Sequence, residues 1–404
     1  MLSYPEALAR VLAHAVAPAT EVVPLARAVG RVLAEPLRAD RDQPPFDRVA
    51  MDGVALDHAA YAAGRRAFPV ARAQAAGEAP VALADAATCV EVSTGAVLPP
   101  GATTVVRYER LRREGATAYL PDGLTDRGDL HVRGADARRG DELIPPGRRI
   151  GIAEVGALAS CGAAEVTVRR PPRCAIVGTG SELVAVDAPV LGHQIRASNA
   201  AQLHALLTGA GAAPSAHLLP DDPPVLRQRI ADLLAGHDLL VVTGGVSRGR
   251  RDYLPGVLAD CGVERLFHGV AQRPGKPLWA GHTDGALVLA LPGNPLAAIA
   301  CALAYLGPWL RAALGREVVP ADADAGAVAL GREVPARPAL TQFSPVRIAR
   351  GGGGAPVATP VRHAGSGDLA SLLRTSGLLV LPAGREGAYA AGEVFPYLPL
   401  DSLL

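Results

Sequence analysis

Lysine is almost missing from this chain of 404 residues: of 40 Lys and Arg residues, one is lysine, Lys276, and the other 39 are arginine. Guanidinium is a planar fork and ammonium a compact charge on a flexible stem, so the two are not interchangeable around an oxyanion. The lysine of Arg273-Pro274-Gly275-Lys276-Pro277 is either a survivor of an Arg-rich composition or a retained cation, and its neighbours must decide. Cysteine is scarce as well. Cys89, Cys161, Cys174, Cys261 and Cys301 are scattered, odd in number and never spaced as Cys-x-x-Cys. That argues against a disulfide framework or a zinc site and fits a reducing cytoplasm. An excess of one charge is absent too; a formal net charge of +1 offers no field to nucleic acid or to an acidic membrane. The N-terminus carries no basic-then-apolar leader pattern.

Several catalytic signatures are also lacking. Gly178-Thr179-Gly180-Ser181-Glu182 has no third glycine at the dinucleotide spacing, and no Walker A loop occurs, which disfavours a nucleotide kinase or an NAD enzyme. Gly-x-Ser-x-Gly is absent, no histidines fall at metalloprotease spacing, and His268 beside Phe267 reads as structural. The one long apolar run, 285–310, is broken by Pro292-Gly293-Asn294-Pro295, so a strand, a turn and a buried helix explain it better than a bilayer span.

What is present describes a soluble globular protein of several domains, with 49% apolar and 20% charged residues. A helix is predicted over 4–17, with Ala7, Leu8, Val11 and Leu12 on one face. Short alternating runs between Gly and Pro from 44 to 139 predict a small, mostly-β domain. A helix over 151–161 and a strand over 165–169 lead to Pro171-Pro172, a stiff boundary. Strands at 174–177, 239–242 and 286–291 alternate with helices at 199–208, 227–234, 253–261 and 296–310, with Asn199 as a plausible cap. That alternation predicts a parallel α/β sheet. From about 320 onward, stretches such as 377–381 predict a second small β domain. The fold class is thus α/β and β multidomain. A linker domain of helix and extended chain covers 1–43 with 140–171, followed by a Gly-rich mostly-β domain at 44–139. A central parallel α/β domain takes 172–317 and a C-terminal small β domain takes 318–404.

Three strands of the central domain end in glycine turns: Gly178-Thr179-Gly180, Thr243-Gly244-Gly245 and Pro292-Gly293-Asn294. Ligands of open α/β sheets bind outside the carboxyl ends of the strands, where glycine admits close approach and helix N-termini favour anions. One such turn is ordinary; three, with Lys276 near in sequence, point to a phosphate-bearing ligand. Acids stand beside them: Glu182, Asp221-Asp222 and Asp252, with Asp52 and Asp136 in the Gly-rich domain. The plainer alternatives are a helix N-cap for Asp221-Asp222, a first-turn acid for Asp252 and a turn aspartate for Asp52. Acids around an anion-binding turn also suggest Mg²⁺. Arg248, Arg250 and Arg251 read as a phosphate clamp or as solvated loop charges.

At these residues the chain resembles a known family, the molybdopterin molybdenumtransferases, which insert molybdenum in the last step of molybdenum cofactor synthesis. The stretches that carry the resemblance run in order along the chain. They begin with Pro44-Pro45-Phe46-Asp47 through Ala50-Met51-Asp52-Gly53, Ser93-Thr94-Gly95-Ala96 with Pro99, and Val132-Arg133-Gly134 to Asp136. They continue with Gly178-Thr179-Gly180-Ser181-Glu182-Leu183, Gln194-Ile195 to Ser198-Asn199, and Thr243-Gly244-Gly245-Val246-Ser247 to Asp252-Tyr253. Pro274-Gly275-Lys276-Pro277 and Leu291-Pro292-Gly293-Asn294-Pro295 complete the series.

The resemblance implies an elongated, four-part subunit working as a homodimer in the cytoplasm. Its substrates would be adenylyl-molybdopterin and molybdate, its cofactor Mg²⁺, and its products AMP and the finished cofactor. Neither nucleic acid nor membrane is implied, and the upstream molybdopterin adenylyltransferase is a further candidate partner. Asp52, Asp136, Glu182, Asp221, Asp252 and Lys276 would be catalytic, with Glu182, Asp221 and Asp252 as the metal ligands. Asp52, Thr94 and Asp136 would lie on the partner side of the cleft. Substrate would be bound by Thr94, Arg133, Gly178, Thr179, Gly180, Ser198, Asn199, Gly244, Gly245, Ser247, Arg248, Arg273, Pro292, Gly293, Asn294 and Ser366.

The chain departs from the family pattern at Ser181, where an acid is usual, at Val49 and Val54, and at Gly269 and Arg273, where lysines are common. A non-catalytic pterin-adenylate carrier or scaffold of the same pathway is the alternative. A related adenylyltransferase or nucleotide pyrophosphatase shares the Thr-Gly-Gly turn but lacks the Gly-rich domain.

Overall fold

The computed structural model describes residues 1–245, 253–316, 326–351 and 354–400. The chain divides into two compact units. One comprises 35–145 and 152–165; the other comprises 1–34, 146–151 and 166–404.

The smaller unit is built on a six-stranded sheet. Its order is Thr104–Arg107, Gly53–Leu56, Cys89–Val92, Ala67–Gln74, Thr117–Tyr119 and Arg112–Glu114. Successive side chains of a strand point to opposite faces. Val54 and Leu56 accordingly pack with Phe68 and Val106 in one cluster, while Ala55 packs with Val90, Val92 and Val105 in another. Beside this sheet a short ladder pairs Arg48–Val49 with Leu130–His131. The helix of this unit, expected over 151–161, runs Ile152–Ser160.

The larger unit holds a six-stranded sheet in the order Ala213–Leu219, Arg173–Thr179, Leu239–Thr243, Leu287–Leu291, Trp279–His282 and Glu264–His268. The first four strands are parallel, as the alternation with helices predicts. The last two lie outside the strands expected from the sequence, and each pairs antiparallel with its neighbour. Trp279–His282 returns into Leu287–Leu291 through a turn closed by Thr283 N–H donating to the Ala286 carbonyl. A connection that short can join only antiparallel neighbours, since a parallel crossover needs a dozen or more residues.

Both faces are covered. Ile176, Val241 and Leu289 face the helices Tyr4–Leu12, Ser198–Gly209 and Pro295–Cys301. Val177, Leu240 and Val288 face Pro223–Gly236 and Leu254–Asp260. Burial on both sides explains why these strands read as continuous apolar runs.

The first helix is shorter than expected. A Ser3–Glu6 capping box starts it, and it ends at Leu12. Beyond that point His14 leaves the helix and stacks on the ring of His282. The apolar run of the sequence resolves into Leu287–Leu291, a turn, and a helix over Pro295–Ala313 that is interrupted by a π turn at Ala302–Leu306. Among the described residues that helix alone is long and apolar enough to cross a membrane, yet 83% of its apolar window is buried inside the protein.

The C-terminal region forms a seven-stranded sheet around Thr341–Arg350, which pairs with Pro356–Pro360 on one side and Gly377–Leu381 on the other. The seventh strand is Gln272–Arg273, which pairs in parallel with Thr341 and Gln342. The segment leading to Lys276 is therefore stitched to the C-terminal sheet.

Candidate functional site

Gly178 pairs with Thr243 and Thr243 with Leu291, so the carboxyl ends of three parallel strands lie side by side. The strand Arg173–Thr179 runs through Gly178 and Thr179, and the turn proper begins at Gly180. Gly244 follows Thr243 at φ +93°, and a Cβ there would come within 2.3 Å of the Thr179 carbonyl oxygen. Its N–H already donates to the Leu291 carbonyl. Gly244 therefore serves by having no side chain, not as a free anion donor.

A cavity of about 570 Å³ opens over these strand ends, lined by Thr179, Glu182, Ser198, Asn199, Gly244 and Asn294 among others. That volume suits a small-molecule ligand. The Glu182 carboxylate folds over Gly180.

Asp221 and Asp222 turn out to do different work. Asp222 is the N-cap of Pro223–Gly236 and accepts from Val225 N–H. Asp221 instead accepts from the Thr179 hydroxyl through one oxygen and from Ser181 N–H through the other, fixing the strand-end turn. At Ser181 the group in use is thus the backbone. The expected cap role of Asn199 is corrected: the helix Ser198–Gly209 has Ala197 at its N-cap, with no side-chain cap bond. The Asn199 amide donates to the Gly293 carbonyl at 2.7 Å, and its buried Oδ1 has no partner in the protein. A buried acceptor without a donor is costly, and it suits a ligand N–H or O–H.

Lys276 does not line this cavity. It lines a second one, also of about 570 Å³, together with Arg273, Arg337, Ser344, His363 and Ser366. Arg337, Ser344 and His363 carry no sequence signal; the pairing of Gln272–Arg273 with Thr341–Gln342 brings them there. The two cavities share the turn after Leu291. Pro292 and Leu296 face the second, Gly293 and Pro295 face the first, and Asn294 borders both.

In the smaller unit, Asp52 accepts from Thr94 N–H at 2.6 Å and from the Thr94 hydroxyl at 2.8 Å. The backbone bond first, then the hydroxyl, hold its carboxyl below the ordinary range. Asp136 lies 2.8 Å from His131 Nε2, and His131 Nδ1 lies 2.8 Å from an Arg48 guanidinium nitrogen. Arginine only donates, so Nδ1 accepts and the neutral ring donates its Nε2 proton to Asp136. Arg133 is engaged by Asp42 through its side chain and by Asp47 through its N–H. The sequence reading missed His131, Arg48 and the ion pair of Arg107 with Asp129. Asp129 stands at φ +47°, in the left-handed region that Asp visits more readily than most non-glycine residues.

Ser247, Arg248 and Asp252, with Arg250 and Arg251, lie outside the described residues. Among the described residues no three His, Cys, Asp or Glu side chains gather as a metal cluster. Glu182 at the cavity and Asp221 behind its wall nevertheless suit Mg²⁺, which takes one or two carboxylates and completes its shell from substrate phosphates and water.

A glycine-walled cavity at the ends of a parallel sheet, next to a cavity lined by cations, defines an α/β protein with a site suited to an anionic ligand. Comparison with known proteins gives the family. Residues 2–162 match the MoeA N-terminal region (domain I and II), 175–312 the probable molybdopterin binding domain, and 327–400 the MoeA C-terminal region (domain IV). The chain is 33% identical over 374 residues to the molybdopterin molybdenumtransferase of Synechocystis sp., covering 91% of this chain and 92% of that protein. It is 32% identical over 391 residues to the Bacillus subtilis molybdopterin molybdenumtransferase, covering 94% and 89%. The crystal structure of the molybdopterin biosynthesis moeA protein from Pyrococcus horikoshii OT3 is similar at a TM-score of 0.84 and 26% identity, over 98% of each chain. The chain belongs to the molybdopterin molybdenumtransferase family, enzymes of molybdenum cofactor biosynthesis, as the ordered motifs implied.

Proposed function

We propose that this chain takes adenylyl-molybdopterin and molybdate and releases AMP and the molybdenum cofactor in a Mg²⁺-dependent reaction. The observation that carries the reading is the pair of cavities meeting at Asn294. The glycine-walled one, with the open acceptor of Asn199 and the Glu182 carboxylate, suits the pterin and its pyrophosphate. The cationic one, with Lys276, Arg273 and Arg337, suits the tetrahedral molybdate oxyanion.

The chain's own residues bind and orient. Asp221 holds Thr179 and Ser181 in place, Gly244 lets the ligand come close to the backbone, and Asn199 reads the ligand edge. Glu182, with Asp221, would hold Mg²⁺, which would supply positive charge to the phosphoanhydride. Lys276 draws the oxyanion toward Asn294. No cysteine need ligate the metal, since the dithiolene sulfurs belong to the substrate. Burial pushes the thiols of Cys89, Cys174 and Cys301 up to about 12, so they stay protonated and weakly ligating. The reading extends to a cytoplasmic homodimer fed by the upstream adenylyltransferase, with Asp52, Thr94 and Asp136 contributed by the second copy.

Incubation of the purified chain with adenylyl-molybdopterin, Mg²⁺ and molybdate tests it. AMP release that depends on molybdate, and is lost in Glu182→Ala, supports the reading. Retention of the intact adenylate would establish a carrier instead.

A further inference from the structure

The loop that carries Lys276 rests on a buried polar network of Gln272, Cys301 and Tyr305. Gln272, Cys301 and Tyr305 are all 0% exposed. The Tyr305 hydroxyl donates to Gln272 Oε1 at 2.6 Å. Gln272 Nε2 faces the carbonyl oxygens of Gly275 at 3.3 Å and Pro274 at 3.4 Å, with Cys301 Sγ also at 3.4 Å. There is no slack between network and loop. Gly275 stands at φ +95°, and a Cβ there would fall 2.4 Å from Cys301 Sγ and 2.6 Å from Gln272 Nε2. Tyr305 reaches Gln272 from the π turn Ala302–Leu306 that interrupts its helix. Such single turns inside α-helices occur often at functional sites.

An apolar pair of the same shape would fill this space without the desolvation penalty of an amide and a phenol. The polar pair supplies direction instead. It aims one amide at the two carbonyls that immediately precede Lys276. The loop backbone has its own closures, Val270 N–H to the Lys276 carbonyl and Leu278 N–H to the Gly275 carbonyl. Those close the turn upon itself. Gln272 and Tyr305 anchor it to the core helix.

We propose that Gln272 and Tyr305 are positioning residues for the oxyanion cavity. Acting through the Pro274 and Gly275 carbonyls, they set the depth of the Lys276 ammonium and so the affinity for molybdate. The proposal rests on the assignment of molybdate to the Lys276 cavity. Burial raises the Tyr305 phenol far above its ordinary range, so it remains a donor throughout the working pH range.

Tyr305→Phe in the full-length chain removes the donor and keeps the ring. AMP release is followed against molybdate concentration, together with adenylyl-molybdopterin binding and the thermal midpoint, with Lys276→Ala as reference. Half-saturating molybdate is expected to rise about three- to tenfold in Tyr305→Phe, the loss of one hydrogen bond. The rate at saturating molybdate and the pterin-adenylate affinity should stay within about twofold. Gln272→Met, which keeps the volume, should give the same shift and carries the measurement if Tyr305→Phe does not fold. If Lys276→Ala shifts the molybdate response and neither network variant does, whatever their thermal midpoints, the positioning role is overturned on its own. If Lys276→Ala leaves the response unchanged, the assignment of the cavity falls and the positioning role falls with it.

Discussion

The side-chain amide of Asn294 donates to the hydroxyl of Ser366 at 2.9 Å, and this bond stands where the two cavities meet. Ser366 is held from its other end as well, because its carbonyl accepts from Leu296 N–H. The junction thus ties the turn after Leu291 to a segment 72 residues further along the chain. Asn294→Ala removes the side-chain tie and leaves the backbone one. Its kcat/KM for molybdate is expected to fall about tenfold with the thermal midpoint nearly unchanged. Steady-state AMP release and a melting curve on the same sample check this, and a lowered midpoint with unchanged kinetics would make the bond merely structural.

Asp221 and Asp222 are neighbours with separable roles. Asp222→Ala is expected to lose about 1 kcal/mol of stability, the usual value of an N-cap, and to keep AMP release. Asp221→Ala strands the Thr179 hydroxyl and Ser181 N–H, and activity should drop on the order of 10–100-fold, as when a second-layer partner of a metal or phosphate site is lost. Urea unfolding alongside kinetics separates them, and the reverse pattern would exchange the two assignments.

Gly244 combines a left-handed backbone with a carbonyl in the way of any Cβ. Gly244→Ala should therefore cost roughly 2–4 kcal/mol in urea unfolding. Adenylyl-molybdopterin binding should weaken with it, because Thr179, whose carbonyl must move, lines the cavity. A neutral effect on both would show that the turn relaxes freely.

The Asp52 carboxyl sits below its ordinary value of 3.8 because Thr94 donates to it twice. A depressed folded value means that its stabilising contribution is complete above the unfolded value and is lost as pH falls through the folded one. Thr94→Val removes the hydroxyl bond and keeps the backbone bond. The Asp52 titration, followed by carbon-detected NMR, should move upward but stop short of the ordinary value. An unmoved titration would remove the hydroxyl from the account.

Legibility differed by residue for physical reasons. The strands expected at 165–169 and 377–381 are observed as Glu165–Arg169 and Gly377–Leu381, because apolar runs with clear breakers carry their own boundaries. The glycine turns, and Glu182 beside the first, could be read because a turn's demand for glycine is local. Asn199 misled because its amide serves a carbonyl 94 residues away rather than its own helix. The antiparallel edge was hidden because an apolar strand reads alike in either direction. Arg337 and His363 reach the second cavity from segments without a motif, so no spacing could announce them.

By itself, then, the sequence determined the chemistry available: glycine turns at strand ends, acids next to them, and a single lysine in a Pro-Gly frame. Only the tertiary structure decided how these are shared out. Glu182 and Lys276 lie on different cavities that meet at Asn294, and the lysine's companions come from the C-terminal sheet. The physical reason is range. Backbone dihedrals and caps are settled within a few residues, whereas a cavity is walled by whatever side chains strand pairing and helix packing bring together from distant parts of the chain.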